Sequence, residues 1–308
     1  MTPDVSVLIV TYNSGPHIEA CLTALEEALL RVRGEILVYD NASKDDTVAR
    51  ARSFPSVRVV EGCDNLGFAA ACNRLGALSS GRYLWFLNPD TRVDSRAVDE
   101  LLRVASQHPQ AHLFGAKTIT PDGRTVTASA QGEMSIWSLT CFASGLSTIL
   151  AGRRGADPES LPGWDRTTTR HVPMLSGGAL MISRHAWARL GGFDERYFMY
   201  AEDADLCARA CREGFKPLYV ASAVVEHEVG ASSSAGGKLV LLHRGKVTYV
   251  RTLWSPLRAW VGTRLLIVGV ALRSAAARLG VFPDRHGRSL GDAWTEAWRR
   301  RTEWRRGW

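Results

Sequence analysis

Three short stretches of this chain carry side chains able to act on a phosphorylated substrate: Asn88-Pro89-Asp90, Glu202-Asp203-Ala204-Asp205 and Val224-Val225-Glu226-His227. Tyr83-Leu84-Trp85-Phe86-Leu87 reads as a buried strand that runs straight into the first of them. Pro89 cannot continue a ladder, so the chain turns and Asp90 is held at the strand's carboxyl end. In open α/β sheets that edge is where ligands sit. A carboxylate fixed there suits a divalent cation, which neutralises phosphate charge; the alternative is a turn Asp that only caps the next helix. The second stretch crowds three carboxylates at a helix start, where the dipole lowers the cost of negative charge. Capping accounts for one or two of them. Phe193, Tyr197, Phe198 and Tyr200 just upstream add an aromatic wall suited to stacking a sugar ring. His227 closes a short strand and is either a structural histidine or a second metal ligand beside Asp90.

The elements that must position these groups alternate between two periods. Val5 to Val10 is a β-branched strand closed by Thr11-Tyr12-Asn13, and Ile18, Leu22, Leu25 and Leu29 then recur at helical spacing. Glu35 to Tyr39 is a second strand ending in Asp40, and Ser43 to Thr47 supply a helix start. A strand at 57–60, a helix at 65–78 and the strand at 83–87 follow. The alternation predicts an α/β fold with a mostly parallel central sheet flanked by helices. Beyond it come a helix at 95–107, a hairpin around Pro121-Asp122-Gly123, and a strand at 178–182. A turn at Gly191-Gly192, a helix at 202–213 and a strand at 217–220 complete the pattern. Residues 129–172 mix Gly, Ser and Pro and are expected to be a mobile segment on the substrate side. No GxGxxG follows the first strand and no GxxxxGK[ST] occurs, which argues against a dinucleotide dehydrogenase or a P-loop ATPase. Thr11, Tyr12 and Asn13 offer hydroxyl, ring and amide groups instead, and Asp40 can accept a hydrogen bond from a base or ribose.

The length of 308 residues allows one large α/β domain with an appendage. Six cysteines form no CxxC, so reduced thiols are expected, with Cys207 and Cys211 one turn apart on a core face. The net charge of +7 is uneven: residues 244–308 hold 14 Lys+Arg against 4 Asp+Glu, a local +10, which leaves 7 − 10 = −3 for the rest. Six of the ten tryptophans fall in that same stretch. Arg with Trp at such density suits an anionic membrane surface. The apolar run Leu265 to Leu272 is eight residues long, short of the roughly 20 that span a bilayer. An imperfect amphipathic helix is expected, attached to a membrane surface or packed on the rest of the protein. The basic pI of about 9.3 brings no nucleic-acid motif with it, so no nucleic-acid partner is expected. No secretory leader precedes the first strand, which points to the cytoplasm.

Taken in order, Val7-Leu8-Ile9-Val10-Thr11-Tyr12-Asn13, Tyr39-Asp40-Asn41-Ala42-Ser43, Asn65-Leu66-Gly67-Phe68, Asn88-Pro89-Asp90, Ser176-Gly177-Gly178, Gly192-Phe193-Asp194-Glu195 and Glu202-Asp203-Ala204-Asp205-Leu206 form a specific set. With it the chain resembles family-2 inverting glycosyltransferases of the GT-A fold, most closely bacterial rhamnosyltransferases of cell-wall and polysaccharide assembly. The resemblance implies a catalytic domain over 1–236, with a nucleotide-binding half at 1–94 and an acceptor and catalytic half at 95–236. Residues 237–308 become a C-terminal helical membrane-surface appendage. By the same resemblance Thr11, Tyr12, Asn13 and Asp40 hold the nucleoside of a sugar nucleotide, and Asn65, Gly67 and Asn73 line its pocket. Asn88 stands where the family often has the first acid of Asp-x-Asp, and Asp90 and His227 bind Mg²⁺ or Mn²⁺. Asp203 matches the catalytic base; Gly177, Gly178, Phe193, Asp194, Tyr200 and Glu202 fall on the acceptor side. The implied reaction moves L-rhamnose from dTDP-rhamnose onto a hydroxyl of a lipid-linked saccharide, on the inner face of the cell membrane. Another hexosyltransferase with a UDP-galactose or UDP-glucose donor and a soluble or protein acceptor is the alternative, and a silent sugar-nucleotide binding protein a more distant one. Oligomerisation is left open.

Overall fold

The computed structural model describes residues 2–228, 235–280 and 289–308. Along the chain run β1 (Val5–Thr11), α1 (Gly15–Ala28), β2 (Gly34–Asp40), α2 (Thr47–Arg52), β3 (Val57–Glu61), α3 (Phe68–Leu78), β4 (Tyr83–Leu87), β5 (Thr91–Val93), α4 (Ala97–Gln107) and β6 (Leu113–Ile119). Then follow β7 (Ala130–Gln131), α5 (Ile136–Ser144), α6 (Leu146–Ile149), β8 (Arg170–His171), β9 (Met174–Leu175), β10 (Ala179–Ser183), α7 (Arg184–Leu190), α8 (Glu202–Arg212) and β11 (Leu218–His227). The chain closes with α9 (Ala235–Leu253), α10 (Pro256–Arg278), α11 (Ser289–Arg299) and α12 (Arg301–Trp304). Two compact units result: residues 1–131, 165–195 and 203–232 form the first, and 132–164, 196–202 and 233–308 the second.

The first unit is built on a sheet of order β3-β2-β1-β4-β10-β6-β11-β5, with β8 also paired to β11. Its first four strands are parallel, as the alternating pattern requires. Strand β10 is the exception that shapes the site. It lies antiparallel between β4 and β6, so its amino end meets the carboxyl ends of β1, β2 and β4. Strand β11 is parallel to β6, and its carboxyl end therefore reaches the same edge. The two strands expected around 217–220 and 224–227 are one strand with an irregularity between Val220 and Val224. The central strands are buried on both faces: Val7, Ile9, Val38, Trp85, Leu87 and Met181 join the face of α1 formed by Ile18, Cys21, Leu22 and Leu25. That contiguous apolar surface is the main source of stability.

In the second unit, the segment expected to be mobile carries α5, whose first turn is closed by a reciprocal pair between Ser135 and Ser138. His243 on α9 lies against the rings of Phe142 on α5, Trp294 on α11 and Trp304 on α12. Burial drives the His243 imidazole down to about 3, so it stays neutral, with Nδ1 2.8 Å from the Leu239 carbonyl. Arg273 is buried too and is satisfied by the Phe142 carbonyl at 2.6 Å, Thr148 Oγ1 at 2.8 Å and the Phe142 ring. The tail tryptophans are divided: Trp254 and Trp304 are buried, Trp294, Trp298 and Trp308 half-buried, and Trp260 exposed. The apolar run at 265–272 belongs to a longer helix than expected, since α10 has 23 residues. By length and composition it is apolar enough to cross a membrane, although 39% of its most apolar window is buried. Cys207 is buried as expected but Cys211 is exposed, and the six cysteines are free. Residues 281–288, part of the basic tail, lie outside the described residues.

Candidate active site

Every motif of the first unit with chemical potential ends at the edge just described. At the end of β1, Thr11 Oγ1 donates to Asp40 Oδ1 at 3.0 Å, while Ser43 donates its amide to Asp40 Oδ2 at 2.9 Å. Asp40 is buried and its carboxylate is already engaged on both oxygens, so it acts as a buckle between two loops. Asn13 adopts a left-handed conformation (φ 51°), receives the Lys44 amide on its side-chain oxygen at 2.7 Å, and donates its own amide to Ser43. Tyr12 presents an exposed ring beside it. Asn65 Oδ1 accepts the Gly67 amide at 2.9 Å, a closed Asx turn. Gly67 sits at φ 81°, a conformation that favours glycine. The loop is braced from below by buried Asn41, which donates to the Gly67 carbonyl and accepts from the Leu66 amide.

The loop after β4 meets the end of β11. Asp90 Oδ1 lies 3.0 Å from His227 Nε2, and Asn88 Nδ2 lies 3.4 Å from the same nitrogen. Asp90 Oδ1 is buried and makes no well-formed hydrogen bond. A carboxylate oxygen 3.0 Å from an imidazole nitrogen is a donor pair that fits a cation site, with the Asn88 side chain beside it. Among the described residues no group of three or more His, Cys, Asp or Glu converges. A cation here would therefore rely on its substrate for further oxygens.

Two adjacent glycines tie this corner to the acidic motif. The Asn88 amide donates to the Gly178 carbonyl at 3.1 Å, and a Cβ on Gly178 would press on Asn88 Nδ2 at 3.1 Å. The Gly177 amide donates to Asp203 Oδ2 at 2.8 Å, and the Ala204 amide donates to Oδ1 at 2.8 Å. Asp203, Asp90 and His227 are thereby brought to one edge through Gly177-Gly178. The protein around the Asp203 carboxylate raises its pKa above the ordinary Asp value by desolvation, against the two amide bonds, which lower it.

The other acids differ from Asp203. Asp205 is buried and pairs with Arg209 Nε at 2.7 Å, and the Arg209 fork reaches the Leu190 and Gly192 carbonyls. Glu202 is buried in the second unit. The aromatic wall expected to face a sugar is mostly interior. Phe193 packs on Phe86, Trp187 and Phe68, and Tyr197 is fully buried. Phe198 packs against Trp308 and Tyr200 remains half-buried. Asn73, expected to line the nucleotide pocket, has its amide used inside the protein instead. It donates to the Phe193 carbonyl and to Glu195, and accepts the Phe193 amide at 2.9 Å. Asp194 follows that brace and is half-buried. Tyr200 and Ala201 take consecutive left-handed conformations, φ 70° and 72°, directly before the acidic motif. Within the first unit, Asn13 and Ala42 place strained backbone on the loops of this edge, as functional sites often do.

The sheet, its antiparallel interruption and the loops gathered at one edge define the class of the molecule: a glycosyltransferase of the GT-A fold. A solved mannosyltransferase from Pyrobaculum calidifontis, in complex with GDP-Man and Mn²⁺, superposes with a TM-score of 0.61 over 98% of this chain and 88% of that one, at 17% identity. The profile of glycosyl transferase family 2 matches residues 6–156, and one described as the N-terminal domain of galactosyltransferase matches 166–229. The N-acetylglucosaminyl-diphospho-decaprenol L-rhamnosyltransferase of Mycobacterium tuberculosis is 33% identical over 275 residues, covering 81% of this chain and 84% of its own. An O-antigen biosynthesis protein of Myxococcus xanthus is 27% identical over 241 residues, 76% of this chain and 18% of that protein. The chain belongs to glycosyl transferase family 2.

Proposed function

We propose that this enzyme transfers L-rhamnose from dTDP-rhamnose to a hydroxyl of a lipid-linked saccharide, with inversion and with a divalent cation. The single observation that carries the catalytic part is the joining of Asp203 to the Asn88-Asp90-His227 corner through Gly177-Gly178. The similarity to a rhamnosyltransferase named for a diphospho-decaprenol acceptor supports the choice of sugar and acceptor class. On this reading the catalytic domain is 1–236, its nucleotide half 1–94 and its acceptor half 95–236.

The residues then divide the work. Thr11, Tyr12 and Asn13 lie along the nucleoside, with the exposed Tyr12 ring as its stacking face. Asp40, Asn65, Gly67 and Asn73 hold those loops in shape. Asp90, His227 and the Asn88 amide would hold Mg²⁺ or Mn²⁺, which supplies charge neutralisation for the departing diphosphate when bound. Asp203 takes the proton from the acceptor hydroxyl as that oxygen attacks the anomeric carbon, and the carbon–oxygen bond to the diphosphate breaks. Its raised pKa keeps it basic enough for the task. Gly177, Gly178 and Asp194 bound the acceptor side. The acceptor's lipid places the enzyme on the inner face of the cell membrane, with the basic tail toward anionic lipid.

The test is a donor panel. dTDP-rhamnose, UDP-galactose and UDP-glucose are each offered with a polyprenyl-diphospho-sugar acceptor, and product is read by mass. Transfer from dTDP-rhamnose alone is expected. Transfer from a UDP-hexose instead moves the protein to the other hexosyltransferases of this fold. No turnover of any donor, with nucleotide binding intact, makes it a silent binding protein.

A further inference from the structure

Helix α10 is apolar on two opposite faces, and among the described residues only one of them is packed against a partner. Ala259, Gly262, Leu266, Gly269, Val270 and Ser274 are buried on the inner face. This seat is close: a Cβ on Gly269 would meet the Phe142 ring at 2.3 Å, and one on Gly262 would meet Trp254 at 2.7 Å. On the outer side Leu257 is 75% exposed, Trp260 59% and Leu272 53%, with Val268 between them and Leu279, 80% exposed, at the C-cap. At 3.6 residues per turn these five fall within an arc of about 120° and extend over about 33 Å. Of the eleven large apolar side chains exposed among the described residues, eight belong to the second unit, and five of those eight form this stripe. An apolar row of that length is not explained by ordinary scattered surface hydrophobes.

We propose that this outer stripe of α10 lies in the plane of an anionic membrane, Trp260 and the leucines entering the acyl boundary while arginines meet the phosphates. The charge around it complements that occupant. Arg264 lies within the stripe, its guanidinium 5.3 Å from the Trp260 ring, and Arg258 and Arg278 flank the helix. The surrounding tail carries the local +10. Indole at the headgroup level and guanidinium on lipid phosphate are the pairing an interfacial helix uses. The helix lies flat and does not span, because its inner face is committed. Arg273 on that face is bonded to the Phe142 and Gly269 carbonyls and to Thr148, and a spanning helix would have to surrender those bonds and the glycine seats. This deepens the lipid-linked-acceptor reading and depends on it for its purpose, though not for its measurement.

The full-length protein is sedimented with vesicles of phosphatidylcholine containing phosphatidylglycerol, and with vesicles of phosphatidylcholine alone. Preferential binding to the anionic vesicles is expected, with partition lowered about tenfold or more by Val268→Glu combined with Leu272→Glu. Thermal shift by dTDP is expected to stay unchanged in that variant. Brominated lipid should quench wild-type tryptophan fluorescence, and Trp260→Phe should remove most of the quenching, a readout that holds even where the double variant fails to fold. Equal vesicle binding by the double variant, no binding by the wild type, or unchanged quenching in Trp260→Phe overturns the proposal. Resistance to alkaline carbonate extraction shows a span and overturns it as well. A wild-type dimer in light scattering that the double variant loses, without any change in vesicle binding, assigns the stripe to a second copy and overturns it too. Retained vesicle binding with no sugar transfer from any donor sinks the enzymatic reading and leaves this one standing.

Discussion

Asp203 differs from its neighbours in what it is free to do. Asp205 is spent on Arg209, whereas Asp203 accepts two backbone amides and sits where the surrounding protein raises its pKa. Asp203→Asn should lower transfer by about 10²-fold or more, while calorimetry shows dTDP still bound. The stability sign follows from the raised pKa. A carboxyl whose native pKa lies above its unfolded value favours the fold fully at pH below the unfolded value, and loses that contribution as pH rises through the native one. Ionised Asp203 is thus a cost at neutral pH, and its share of stability should grow as pH falls through its raised native value, a gain that Asp203→Asn should lack in melting curves taken across that range. The rate should fall on the acid side with a midpoint above the ordinary carboxylate range of about 4. A midpoint at the ordinary value would remove Asp203 from the base role. Asp90→Ala should abolish both activity and the thermal shift produced by Mn²⁺ with dTDP; an unchanged Mn²⁺ titration would count against the cation site.

Single elements are held in place by side chains that the acidic motif itself did not advertise. Arg209, one turn along α8 from Asp205, clamps the Leu190 and Gly192 carbonyls and so fixes the approach to Phe193. Removing it strips a charged partner from buried Asp205, and Arg209→Ala should cost about 3 kcal/mol or more in a denaturant titration. Gly245 on α9 seats the strained turn before Asp203. A Cβ there would lie 2.2 Å from the Tyr200 carbonyl oxygen, a backbone atom that cannot simply swing aside. Gly245→Ala should displace that turn and lower kcat by about tenfold or more, with nucleotide affinity retained. A fully active variant would show that the turn needs no such seat. Neither residue was visible as a site residue in the sequence: an Arg four places after an Asp is common helix chemistry, and a helical glycine looks like a mere weakness.

At the scale of the whole molecule, charge and apolar surface are segregated. The basic excess lies at 244–308, and most exposed large apolar side chains lie in the second unit. Vesicle binding should weaken as salt rises from about 0.1 M toward 1 M, where screening shortens to a few Å. It should level off above zero, because burial of the stripe is not screened. Complete release by salt would mean that charge alone does the binding.

What the sequence determined by itself was everything carried by local pattern. Strand and helix periods, the β-to-helix alternation and the ordered motifs were enough for the fold and the family, because a buried parallel strand or a capped helix start is written in neighbouring residues. It also singled out Asp90, Asp203 and His227. Tertiary structure alone decided what surrounds each group. Phe193 and Asn73 carried the right chemistry for ligand contact, yet one is core and the other is a brace. Residues 129–172 lacked periodicity and still supplied α5. Trp254 and Trp304 of the tail turned inward, while Trp260 joined an outward row on α10. Burial and hydrogen-bond occupancy depend on partners tens to hundreds of residues away, and no local pattern encodes which of those partners arrives.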